Sequence, residues 1–140
     1  NRSSTVDSTS RSFSERRVAA IGAAVATVAN VALWAGGRAA DVGFLVNPVV
    51  GDPFQVGVVL VILTTVLMFA VGWAVLALAA RRSRRWVRAV LVTAAAVAVV
   101  SALGGPLPTA DDTATGMLLA AMHLITGAVF VATAVRARIG

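Results

Sequence analysis

The sequence predicts an all-α fold, a four-helix transmembrane bundle with both termini cytoplasmic, and three observations predict it. Hydrophobic residues make up 59% of the 140-residue chain and charged residues 13%, against roughly 45–50% and about a quarter in soluble domains. A soluble protein of this size would lack the polar surface to coat itself. Four apolar runs, about residues 18–35, 56–80, 87–103 and 117–135, each reach the length of about 17–25 residues that crosses a bilayer. The twelve basic residues, all arginine, gather at the ends of those runs, five of them within Arg81-Arg82-Ser83-Arg84-Arg85-Trp86-Val87-Arg88.

Residues 1–17 hold six serines and two threonines with almost nothing apolar beyond Val6 and Phe13. Such a segment cannot bury enough surface to offset its ordering entropy, so a disordered tail is expected ahead of a transmembrane domain over residues 18–140. The first run competes with a signal-peptide reading, but signal h-regions span only about 7–15 residues. The match around Ser14-Glu15-Arg16-Arg17-Val18 to a twin-arginine signal is also poor, so a retained helix is predicted. Its small residues fall in two lines, Ala19, Ala23, Thr27 and Gly22, Ala26, Asn30. Small residues four apart let helix backbones approach closely in lipid, so this helix belongs inside the bundle, with Gly22 and Ala26 as packing positions.

Residues 35–55 form the longest connector, with Arg38, Asp41 and Asp52 and the turns Asn47-Pro48 and Gly51-Asp52-Pro53. Its prolines argue against a continuous helix. Its short apolar stretch, Gly43 to Val46, is expected to cap the bundle or rest on the membrane surface. The second run carries bulky residues through its first half and should present a broad face to lipid. The arginine turn follows, with Trp86 at the interfacial level where indole rings concentrate. The third run stops at Gly104-Gly105-Pro106, and the paired glycines here and at Gly36-Gly37 read as helix ends. The fourth run ends at Arg136 and Arg138.

Topology follows from charge. Tail, middle turn and C-terminal end carry eleven of the twelve arginines, while the other two connectors carry one arginine and four aspartates. Cytoplasmic loops collect Arg and Lys, so Arg81, Arg82, Arg84, Arg85 and Arg88 fix a chain that crosses four times with both ends inside. The expected location is a bacterial plasma membrane.

Within the spans, Asn30, Thr64, Thr65, Ser101, His123 and Thr126 are the candidate site. Each polar group needs a partner in lipid, and the topology puts them at a similar depth in the outer leaflet. His123 shares a face with Ala120, Thr126, Gly127 and Phe130. It is read either as a proton-sensitive or ligand-contacting group, or as a neutral ring bonded to Asn30, Ser101 or a backbone carbonyl, the reading favoured here. Gly127 is a packing position.

Composition also excludes. The net charge of +6 is accounted for by cytoplasmic loops, with no aromatic-interleaved basic face for nucleic acid. With no cysteine and one histidine, neither a metal site nor a cofactor is expected. Asp111 and Asp112 read as solvated loop residues, and no phosphate loop, nucleophile elbow or zincin helix is present, so no catalytic residue is assigned.

The turn Arg81-Arg82, the stop Ser101-Ala102-Leu103-Gly104-Gly105-Pro106 and the stretch Met122-His123-Leu124-Ile125-Thr126-Gly127-Ala128 together resemble an uncharacterised family of small four-helix actinobacterial membrane proteins. The resemblance implies the same four-helix architecture and weight on His123 and Gly127. It carries no activity. The expected function is therefore that of a non-enzymatic accessory or scaffold subunit of a larger membrane complex, in an envelope lipid or solute transport system. Membrane lipids and a larger complex or homo-oligomer are its partners. The alternatives are a small oligomeric transporter with His123 in an outward-facing cavity, or a membrane enzyme acting on an apolar substrate.

Overall fold

A computed structural model describes the backbone of residues 3–139 and the side chains of residues 15–137. Helix α1 spans Ser3–Ala39, strands β1 and β2 span Leu45–Val46 and Phe54–Gln55, and α2 spans Val58–Arg82. Helix α3 runs over Arg84–Gly104, a single turn α4 over Pro106–Thr109, and α5 over Thr113–Ile139. Four segments are long and apolar enough to cross a membrane: Glu15–Ala39, Val58–Arg82, Arg84–Thr109 and Thr113–Ala137. The chain is a multi-pass membrane protein built as an all-α bundle, with a small hairpin over one end.

Each helix outruns its apolar core. Arginine is a good helix former, so α2 continues through Arg82 and α3 resumes at Arg84, leaving the middle turn a single extended residue, Ser83 (φ −170°, ψ 165°). Its Oγ accepts from Trp86 N at 3.5 Å, a weak N-cap. Upstream, helical backbone continues from the first span back to Ser3, through most of the segment for which the sequence predicts disorder. No proline or glycine interrupts residues 3–21, so a helix anchored in the span extends without a new nucleation cost. Residues 1–2 of that tail, and the side chain of Arg138 at the other end, lie outside the described residues.

Gly36-Gly37 is a correction: α1 does not end there but at Ala39. Gly37 is needed for approach, since a Cβ would come within 2.6 Å of Phe44 Cζ and 2.7 Å of Leu118 Cδ1. The connector expected to be irregular is a hairpin, with Leu45 opposite Gln55 and Val46 opposite Phe54. Its other edge is taken by the α4–α5 connector. Asn47 N donates to Thr109 O at 2.7 Å, Asp111 N donates to Leu45 O at 3.0 Å, and Asn47 Nδ2 donates to Asp111 Oδ1 at 3.2 Å. The hairpin therefore caps the bundle, driving Phe44 to 0% exposure among Val46, Val56, Val61, Leu119 and Met122. Phe44 holds φ 54°, a conformation that bulky residues rarely adopt and that its burial sustains.

Around the bundle α1 packs on α2 and α5, and α3 packs on α2 and α5. A second core lies toward the arginine turn, where Phe69 and Phe130 meet edge to face at 5.4 Å beside the fully buried Ala26, Leu76 and Ala134. The outward side chains of α2 and α3, such as Leu63, Leu67, Leu78, Val92 and Val100, are more than half exposed, as lipid-facing surface requires.

Candidate functional site

The line of Gly22, Ala26 and Asn30 is the inward face of α1, each residue buried. Gly22 lies on Thr133 and Phe69, where a Cβ would come within 2.8 Å of Phe69 Cζ, and Gly127 lies directly on Ala98 of α3. Gly22, Ala26 and Gly127 thus all lie where helices meet. The five arginines of the turn, Arg81, Arg82, Arg84, Arg85 and Arg88, are all exposed.

Three of the six candidate polar residues are joined directly. Asn30 Nδ2 donates to Thr65 Oγ1 and to Thr126 Oγ1, each at 2.9 Å, tying α1 to α2 and to α5. Both threonine hydroxyls donate to their own helices, Thr65 to Val61 O at 2.7 Å and Thr126 to Met122 O at 2.8 Å. Asn30 is 2% exposed, and its Oδ1 has no donor. An unpartnered buried acceptor costs about 1–3 kcal/mol.

The other three sit nearby without joining that network. Thr64 donates to Leu60 O at 2.7 Å and Ser101 to Ala98 O at 3.2 Å. His123 Nδ1 lies 2.8 Å from Leu119 O. A carbonyl only accepts, so Nδ1 carries the hydrogen, and in the uncharged ring Nε2 presents a lone pair. Of the partners the sequence offers His123, the backbone carbonyl is the one observed.

All six line one cavity of about 630 Å³ between α2 and α3, floored by α5 and by Asn30. It runs along α3 from Trp86 to Ser101, about 22 Å at 1.5 Å per residue. Its two halves differ. Toward the hairpin it is edged by the polar six; toward the arginine turn its walls are apolar apart from Thr93, among them Phe69, Val75, Trp86, Val90 and Phe130. The lining holds no arginine, aspartate or glutamate. No group of three or more His, Asp or Glu residues suited to a metal occurs among the described residues.

One polar constellation outside the cleft escapes a reading based on span residues alone. Asp112 Oδ1 accepts from Thr115 N at 2.8 Å and Oδ2 accepts from Thr115 Oγ1 at 2.6 Å, capping α5. Thr115, fully buried, in turn accepts from Phe44 N at 3.2 Å. The Thr115 hydroxyl and then its amide hold the Asp112 carboxyl below the ordinary value of 3.8. Asp just ahead of an apolar run is the sequence sign of such a cap, so Asp112 is a helix cap and Asp111 a loop anchor through Asn47.

Comparisons with curated proteins and with solved structures return no match. The chain belongs to a family of unknown function (DUF6069), whose model matches residues 10–139.

Proposed function

We propose that the protein is a non-enzymatic accessory or scaffold subunit of a larger membrane complex, one that holds an apolar molecule from the bilayer in the cleft between α2 and α3. The observation that carries this reading is the cleft itself: 630 Å³ of largely apolar space, within the range that holds small-molecule ligands. Its position between two helices, in a chain with lipid-facing walls, gives access from the bilayer. The non-enzymatic part rests on His123, whose Nδ1 is engaged by its own helix at Leu119 O and not by a carboxylate. Native purification in a gentle detergent, followed by mass spectrometry, tests the reading. The expected result is a retained lipid-sized mass together with larger protein partners; a bare chain with neither would refute it.

The same proposal places the protein in a bacterial plasma membrane with both termini cytoplasmic, on the charge asymmetry across its ends. The chain contains no cysteine, so single-cysteine variants report without background. A membrane-impermeant thiol reagent applied to whole cells should label Val50→Cys at the hairpin tip and leave Ser83→Cys unlabelled. The reverse pattern would invert the topology.

A second reading, a small oligomeric transporter, draws on the presence of His123 in the cleft lining. Flux in liposomes that disappears in His123→Ala would favour it over the scaffold.

A further inference from the structure

The polar half of the cleft is chemically one-sided. Thr64, Thr65, Ser101 and Thr126 each donate their hydroxyl hydrogen to a carbonyl of their own helix, so each has only lone pairs left to offer. His123 does the same through Nδ1, which leaves Nε2 as an acceptor. Asn30 has both amide hydrogens engaged by Thr65 and Thr126, and its Oδ1 is buried without a donor. The described hydrogen bonds thus consume the donors of this band and leave acceptors facing the cavity or bordering it.

From this we infer that the cleft binds a neutral, hydroxyl-headed lipid, its hydroxyl donating into the band of His123 and Thr126, its chain lying along the apolar half toward Trp86. The inference rests on the cleft being a ligand site, as proposed above, and adds the class of ligand and its orientation. Three features select it. A hydroxyl is a donor, which the band at the hairpin end lacks, and a band of acceptors gives no stabilisation to an ether or ester oxygen. The lining contains no formal charge, so a cationic or anionic head would be desolvated without a counter-ion. The cavity is long along the helices and its polar side chains, Thr93 apart, gather at one end, the shape and polarity of a single-headed amphiphile. His123 and Thr126 lie three residues apart on α5, less than one turn, so a head with two adjacent hydroxyls could meet both.

The test uses a matched pair of probes, hexadecanol and hexadecyl methyl ether, which share a chain and an acceptor oxygen but differ in the donor. Each is titrated against the full chain in nanodiscs, with binding read by native mass spectrometry, and hexadecylamine and palmitate at neutral pH serve as charged heads. Hexadecanol is expected to bind about tenfold more tightly than its ether, a difference of about 1.4 kcal/mol, and both charged probes more weakly than the alcohol. In His123→Phe the preference for the alcohol should shrink toward unity while ether binding persists. The wild-type comparison stands even where a variant does not fold. Equal affinity for alcohol and ether would overturn the donor rule yet leave the cleft as a ligand site. Failure of all four probes to bind would overturn both.

Discussion

The seam between α1 and α5 and the seam between α2 and α3 are drawn from the same apolar residues and end in opposite states. Along the first, Gly22, Ala26 and Ala134 let the backbones close until Phe69 and Thr133 fill the remaining space. Along the second, Leu60, Met68, Val75, Val90 and Val97 hold the helices apart around an elongated cavity. In lipid the hydrophobic effect does not drive helices together, and close packing does. The placement of small residues therefore decides which seam shuts. It also divides labour, with one seam closing the bundle and the other leaving the space that the proposed ligand would occupy.

The largest expected effect breaks the closed seam. Gly22→Ala places a Cβ within 2.8 Å of Phe69 Cζ and should cost about 1–3 kcal/mol by overpacking, measured as a shift in the midpoint of SDS-induced unfolding. Gly36→Ala is its control, since Gly36 shares the helix but nothing lies within 4 Å of a Cβ there. That variant should gain about 0.5–1 kcal/mol from helix propensity. If the two substitutions had the same effect, the packing argument for α1 would fail.

Asn30 should behave as neither. Its two hydrogen bonds are of a kind worth about 0.6 kcal/mol each in membranes, while its orphan Oδ1 is a penalty. Asn30→Leu is therefore expected to change stability by about 1 kcal/mol or less, measured in the same unfolding assay, even though the residue is as buried as the glycine line. A large loss would assign Asn30 to the scaffold instead of the cleft.

The smallest effect lies at the hairpin end. Asp112 has its carboxyl lowered by Thr115, so the charged form is favoured in the folded protein. Its capping contribution is complete above 3.8 and is lost as pH falls through the lowered folded value. Hydrogen exchange at the first turn of α5 should rise at strongly acidic pH in the wild type, and in Asp112→Ala at any pH, with the α1–α5 seam unchanged.

These contrasts also mark what the residues reveal unaided. Arginine clusters and run lengths disclose four spans, because burying charge in hydrocarbon costs too much for any other placement. The Gly22, Ala26, Asn30 line discloses the inward face of α1, because spacing of four is a helical property. Gly37 reads falsely as a helix end, since its need for glycine comes from Phe44, seven residues away through a turn that no local pattern predicts. The hairpin is equally hidden, as its pairing depends on the α4–α5 connector more than fifty residues downstream. The polar six share a depth in the sequence, but whether they face a closed core or open space depends on the bulk of side chains on α2 and α3 together.

The central claim, that the open seam holds a ligand, is tested most directly by two tryptophan substitutions on neighbouring residues of α3. Thr93 lines the cleft, while Val92 points away from it and is 70% exposed. Purified side by side and examined by native mass spectrometry, wild type and Val92→Trp should retain the same lipid-sized mass and Thr93→Trp should lose it. Equal retention in all three would contradict the account.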